Sequence, residues 1–160
     1  MQRMRTTLFA AATGASLLFA LPALAATTVN VTLWDNPDMD MADNLGHGMG
    51  GDMSKASMGV KASTDKVPAG EVTFEVKNSS KDLVHEMIVS PLTSADEKLP
   101  YDTNGGKVDE DAAGHLGEVA ELEPGQSGAL RINLKPGSYI LFCNIPGHYM
   151  GGMWTTITAN

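Results

Sequence analysis

The chain has a single cysteine, Cys143, and that scarcity excludes a good deal. No internal disulfide can form, so the thiol is free, bonded to another chain or held by a metal. Basic residues are few as well: 11 Lys and Arg stand against 19 Asp and Glu, for a formal net charge of -8. This balance argues against nucleic acid and anionic membrane surfaces as partners and favours a basic or neutral one. A long apolar run is also missing. The stretch from Leu8 to Leu21 covers ~14 residues, against the roughly 20 a spanning helix needs. Preceded by Arg3 and Arg5 and followed by Ala23-Leu24-Ala25, it reads as an export signal (residues 1–25) cleaved after Ala25. Met4 separates the two arginines, so there is no twin-arginine pair, and no cysteine stands at the cleavage site to accept a lipid. The expectation is a periplasmic protein exported unfolded, which acquires any metal outside the cytoplasm.

Residues 26–160 are enough for one domain, and their pattern is that of strands. Thr28 to Trp34 alternates apolar and polar residues with period two, the strand pattern returns at Glu71 to Lys77, and Leu83 to Val89 reads as a further strand. Further strand-like runs cover Gly59 to Ala62, Gly117 to Leu122, Gly128 to Leu134, Tyr139 to Cys143 and Trp154 to Thr158. Pro-Gly turns at Pro124-Gly125 and Pro136-Gly137 punctuate them. About eight short strands of this kind predict an all-β fold, an antiparallel Greek-key sandwich. Asn78 to Asp82 is a hairpin candidate. Asp109 to Leu116 suits a short helix or a surface loop equally. Residues 38–58 break the pattern: five methionines, His47 and four glycines show no sustained period and read as a flexible insertion or arm.

The chemistry is concentrated at Cys143-Asn-Ile-Pro-Gly-His148-Tyr-Met-Gly-Gly-Met153. A thiolate, an imidazole and a thioether, each five positions apart on a Pro/Gly-bent loop, are soft and borderline ligands that suit copper better than calcium or magnesium. A fourth ligand is needed, and His85 is the candidate. In a strand it shares a face with Leu83, Met87 and Val89, where a polar imidazole needs a partner. Met150 is an alternative thioether, but its closeness to His148 leaves the backbone little room to bring it to the same metal.

These residues carry a resemblance. Val72 to Asn78, then His85, Leu122-Glu-Pro-Gly125, Pro136-Gly-Ser-Tyr139 and the spaced Cys143, His148 and Met153 resemble the cupredoxin, or blue copper, family. The likeness covers nearly all of residues 59 to 159, with Thr28 to Trp34 as the family's first strand. It is nearest to rusticyanin-like members and to periplasmic cupredoxins associated with copper tolerance. The resemblance implies one type 1 copper, with His85, Cys143 and His148 in a trigonal plane and Met153 as the long axial ligand. It also implies an electron port at the His148 edge and a redox protein as partner. One position departs: after the first histidine many members carry Asn, and some Ser, to tie the two ligand loops together, whereas here Glu86 cannot donate a hydrogen bond when ionised.

Met39, Met41, His47, Met49, Met53 and Met58 of the arm offer secondary Cu(I) ligands. Alternatively, they pack on the sandwich as adaptable hydrophobes. His115 reads as a loop residue, Trp34 and Trp154 as packing, and Asp109-Glu110-Asp111 as a solvated acidic face. Two functions share the copper centre: single-electron transfer, and copper tolerance in which centre and arm bind or buffer periplasmic copper. A multicopper enzyme needs more histidines than the 4 present, and a cysteine hydrolase needs an orienting partner for which there is no sign. The expectation is a monomeric, non-enzymatic copper protein.

Overall fold

The computed structural model describes residues 27–160, so the expected export signal lies outside the described residues. Among the described residues eleven strands form, and three of them, β3 (Lys66–Val67), β6 (Tyr101–Asp102) and β7 (Lys107–Val108), have only two residues. The other eight are β1 (Thr27–Asp35), β2 (Met58–Ala62), β4 (Gly70–Asn78), β5 (His85–Leu92), β8 (Gly117–Leu122), β9 (Ser127–Leu134), β10 (Gly137–Phe142) and β11 (Trp154–Ala159). The predicted all-β architecture is therefore present. Two sheets carry it, ordered β2-β1-β4-β9 and β3-β11-β10-β5-β8, with β6-β7 as a separate ribbon.

The sheets are mixed rather than wholly antiparallel. β1 runs parallel to β4, and β11 parallel to β3. After β2 the chain crosses to the second sheet at β3 before β4 returns beside β1, and this excursion sets the two directions alike. Nor is Asn78 to Asp82 a hairpin, because β4 and β5 belong to different sheets. Buried Asn78 makes the crossing: its Nδ2 donates to the carbonyls of Leu83 and Leu122, both at 2.8 Å, and its Oδ1 accepts from Ser80 N at 2.9 Å. With its amide bonded on both sides, Asn78 fixes where β5 begins. Leu83 consequently lies outside the strand and is exposed, not on a shared face with His85.

The period-two pattern explains the core. Val29, Leu33, Phe74, Met87, Val89 and Leu141 are all fully buried and belong to the cluster between the sheets. Each such side chain contributes about 1.5–3 kcal/mol by leaving water. On the other face of the second sheet, Ile88, Ile140 and Phe142 pack with Leu99, Val108 and Tyr149. β5 is thus covered on both sides, and its first six residues are all buried. Asp109 to Leu116 forms a run of turns, closed by Ala113 N to Asp109 O at 2.9 Å and His115 N to Glu110 O at 3.0 Å.

The arm has no strand of its own before Met58 and only a 3-10 turn at Met53–Lys55. It lies against the loop after Cys143. Leu45 N donates to Met150 O at 2.9 Å, and Trp154 Nε1 donates to Leu45 O at 2.6 Å. Among the described residues no helix is long and apolar enough to cross a membrane.

Candidate metal centre

Cys143 follows the last residue of β10, and Met153 precedes the first of β11. Because those strands are paired, with Phe142 opposite Trp154, the eleven residues between them must close on themselves. Cys143 N donates to Met153 O at 3.0 Å and Met153 N to His148 O at 3.1 Å, with His148 N donating to Ile145 O at 2.9 Å. Gly147 (φ 84) and Gly152 (φ 97) supply the left-handed backbone this winding requires. At Gly152 the lack of a side chain also matters, because a Cβ there would stand 2.9 Å from Ala56 Cβ of the arm.

His85 arrives from β5 and meets this loop. Its Nδ1 lies 3.2 Å from His148 Nδ1, which in turn lies 3.5 Å from Cys143 Sγ. One ligand atom from each of the three residues falls within 4.8 Å of the others, and all three side chains are buried. Met153 is fully buried in the core cluster that also contains Cys143. The structure thus brings together His85, Cys143 and His148 across more than fifty positions of sequence.

The electrostatics suit a cation. Burial pushes the Cys143 thiol up to about 12, so without a metal it keeps its proton; the backbone N–H of Glu86, 3.4 Å from Sγ, partly offsets this. His148 is pushed down to about 4, first by burial and then by the neighbouring His85. His85 is lowered by burial, against the opposing pull of Asp35. The result is two neutral imidazoles and a thiol converging in a buried site, a donor set that fits a thiophilic metal able to displace the thiol proton.

Two carboxylates support the converging side chains. Asp35, at the end of β1, places Oδ1 3.1 Å from His85 Nε2, which holds the ring with Nδ1 towards His148. Sequence reasoning passed over Asp35, since a strand-ending acid fifty positions away carries no local sign of this contact. Glu86 does tie the loops together, as an acceptor rather than a donor: its Oε1 takes the N–H of Asn144 at 3.1 Å. Burial, then Glu121 nearby, raises the Glu86 carboxyl to about 7. Asn144 extends the link, its Oδ1 accepting from Val108 N at 2.7 Å and its Nδ2 donating to Glu110 Oε1 at 2.9 Å.

The remaining candidates lie outside this group of three. His47 is buried, with Nδ1 2.6 Å from Glu97 O and its ring edge-on to Trp154 at 4.8 Å. Met39, Met41 and Met53 are exposed, Met49 is half-buried and Met58 is buried. His115 groups with Glu110 and Glu118, partly exposed, on the far side of Asn144.

No protein-family model matches the chain, and no curated protein sequence matches it. Solved structures do. Dithionite-reduced auracyanin from Roseiflexus castenholzii is 23% identical, over 85% of this chain and 98% of that one, with TM-score 0.54. Rusticyanin from Thiobacillus ferrooxidans is 16% identical over 85% and 79%, with TM-score 0.53. Auracyanin A, described as a "blue" copper protein from Chloroflexus aurantiacus, is 16% identical over 85% and 100%, with TM-score 0.52. At these identities the likeness is one of fold: this chain shares the fold of auracyanin and rusticyanin, and that all-β fold is cupredoxin-like.

Proposed function

We propose that this protein is an exported, periplasmic type 1 copper protein that transfers single electrons and catalyses no reaction of its own. The observation that carries this reading is the convergence of His85, Cys143 and His148 within 4.8 Å, in a buried site of a cupredoxin fold. Met153, buried beside them, is the proposed axial ligand. Bound copper supplies a one-electron Cu(II)/Cu(I) couple, and thiolate, two imidazoles and a weak thioether form a set both oxidation states accept. The protein's part is to hold that set still. The Cys143–Met153 and Met153–His148 backbone bonds fix the loop, Asp35 fixes the His85 ring and Glu86 fixes Asn144 beside the cysteine. His148, 6% exposed, is the ligand through which a redox partner protein reaches the centre.

The test is optical. Protein given Cu(II) develops intense visible thiolate-to-copper absorption, and Cys143→Ser abolishes it. A colourless copper complex of the parent chain overturns the assignment.

A second reading, copper tolerance or buffering, draws on the arm. Met41 and Met58 lie against Gly151 of the ligand loop, so thioethers stand at the same pole as the centre. Removing residues 38–58 then lowers the copper bound per chain and the growth of the source cell in copper. Unchanged values for both leave electron transfer alone.

A further inference from the structure

The methionines of the arm are not equivalent. His47 and Met53 line a depression beside Trp154. Met39, Met41 and Met58 instead line a separate cavity of about 230 Å³, together with Asp35, Asp82 and Leu83. Asp35 joins this cavity to the centre. Its carboxylate takes the Nε2 edge of His85, whose opposite nitrogen, Nδ1, faces His148. One imidazole ring therefore separates the cavity from the proposed copper site.

Two features mark this cavity as more than packing. Met39 and Met41 are 41% and 50% exposed, so neither residue is spent on filling the core. Yet Met41 and Met58 converge on one point of the ligand loop: a Cβ at Gly151 would lie 3.4 Å from Met41 Cγ and 3.3 Å from Met58 Sδ. Thioethers carry no proton to compete with a metal and bind soft monovalent ions far better than hard divalent ones. The Asp35 and Asp82 carboxylates lining the same cavity attract a cation without making it selective.

We propose that Met39, Met41 and Met58 form an outer site selective for monovalent copper, with Asp35 linking it to the His85 edge of the inner centre. This deepens the copper reading above and rests on it for the identity of the metal. The probe is Ag(I), which mimics Cu(I) in softness and charge and does not change oxidation state. Full-length protein already loaded with Cu(II) is titrated with Ag(I), and bound metal is counted by native mass spectrometry while the visible band reports the inner site.

One Ag(I) is expected per copper-loaded chain. The double variant Met39→Leu/Met41→Leu, which keeps side-chain volume, weakens that binding about tenfold or more while leaving the copper band unchanged. Met49→Leu/Met53→Leu leaves both unchanged. The proposal is overturned if the copper-loaded parent binds no Ag(I), if Met39→Leu/Met41→Leu binds it like the parent, or if Met49→Leu/Met53→Leu weakens it equally. If the parent takes up no coloured copper, the type 1 reading fails. The same Ag(I) titrations on metal-free protein then still decide the outer site.

Discussion

The ligand loop and the arm are built from the same kinds of residue and lie against each other, yet they do different things with them. The loop has His148, Met150, Met153 and three glycines; the arm has His47, five methionines and four glycines. Both ends of the loop enter paired strands and bond to one another, so its side chains have fixed destinations. The arm is pinned at points, chiefly through Leu45 and His47. The two histidines state the difference: the Nδ1 of His148 faces a thiol and another imidazole, whereas the Nδ1 of His47 is occupied by the carbonyl of Glu97. A soft residue is available as a ligand when the fold leaves its donor atom unspent and brings others to it.

The largest effect that would break this contrast comes from exchanging the roles of the two histidines in experiment. His148→Ala removes a proposed ligand from the centre, and we expect complete loss of the charge-transfer band on adding Cu(II). His47→Ala keeps the band and lowers the stability of the metal-free protein by about 1–2 kcal/mol, through one buried hydrogen bond and the packing on Trp154. Visible absorption and thermal melting of the two variants check both halves. Loss of colour in His47→Ala would erase the distinction between loop and arm.

A middle-sized effect sharpens the account of how the loop is anchored. In the folded chain the Glu86 carboxyl keeps its proton up to about pH 7, against an ordinary value of 4.5, because it is buried. The folded state therefore binds more protons than the unfolded state across that window, and this contribution to stability is lost as pH rises through it. His148 works in the opposite direction, since its folded value is about 4 against 6.5, but it does so equally in any variant that keeps it. Glu86→Gln retains an oxygen for Asn144 N and removes the titration. Relative to the parent, metal-free Glu86→Gln should gain stability by on the order of 1–2 kcal/mol between pH 4.5 and 7, read from denaturant melts at each pH. A constant difference across that range would mean that Glu86 is not the buried acid described.

What could be read in the sequence follows from the range of the interactions. The eight longer strands were legible because alternation, short apolar runs and Pro-Gly turns are all local signals, and the cysteine loop because its three soft side chains sit within one turn region. His85 was legible as a polar residue in an apolar strand, although its neighbour Leu83 was wrongly placed there because nothing local shows where Asn78 redirects the chain. The parallel pairing of β1 with β4 was not legible, since it depends on which sheet β2 and β3 join. Asp35 and Asn144 escaped for the same reason: each acts on a partner more than thirty positions away. Glu86 stood out as a departure, but only the position of Asn144 N shows that the tie survives with the donor and acceptor reversed. The burial of His47 had no signal at all, because a glycine-rich segment carries no period.

The smallest effect tests whether the arm depends on the loop's own strand. Trp154 begins β11, the strand that leaves the ligand loop, and its Nε1 donates to Leu45 O across 109 positions at 2.6 Å. Its ring also receives the edge of His47. Trp154→Phe keeps an aromatic ring and removes only the donor, leaving the Leu45 carbonyl without that bond. The expected cost is about 1 kcal/mol, with the copper band unchanged, because no ligand is touched. The informative readout is hydrogen exchange: the amide of Leu45, bonded to Met150 O, should exchange faster in Trp154→Phe, while that of Cys143, bonded to Met153 O, should not. If both amides loosen together, arm and loop form one cooperative unit, and the contrast between a braced loop and a pinned arm gives way to a single structure spanning both.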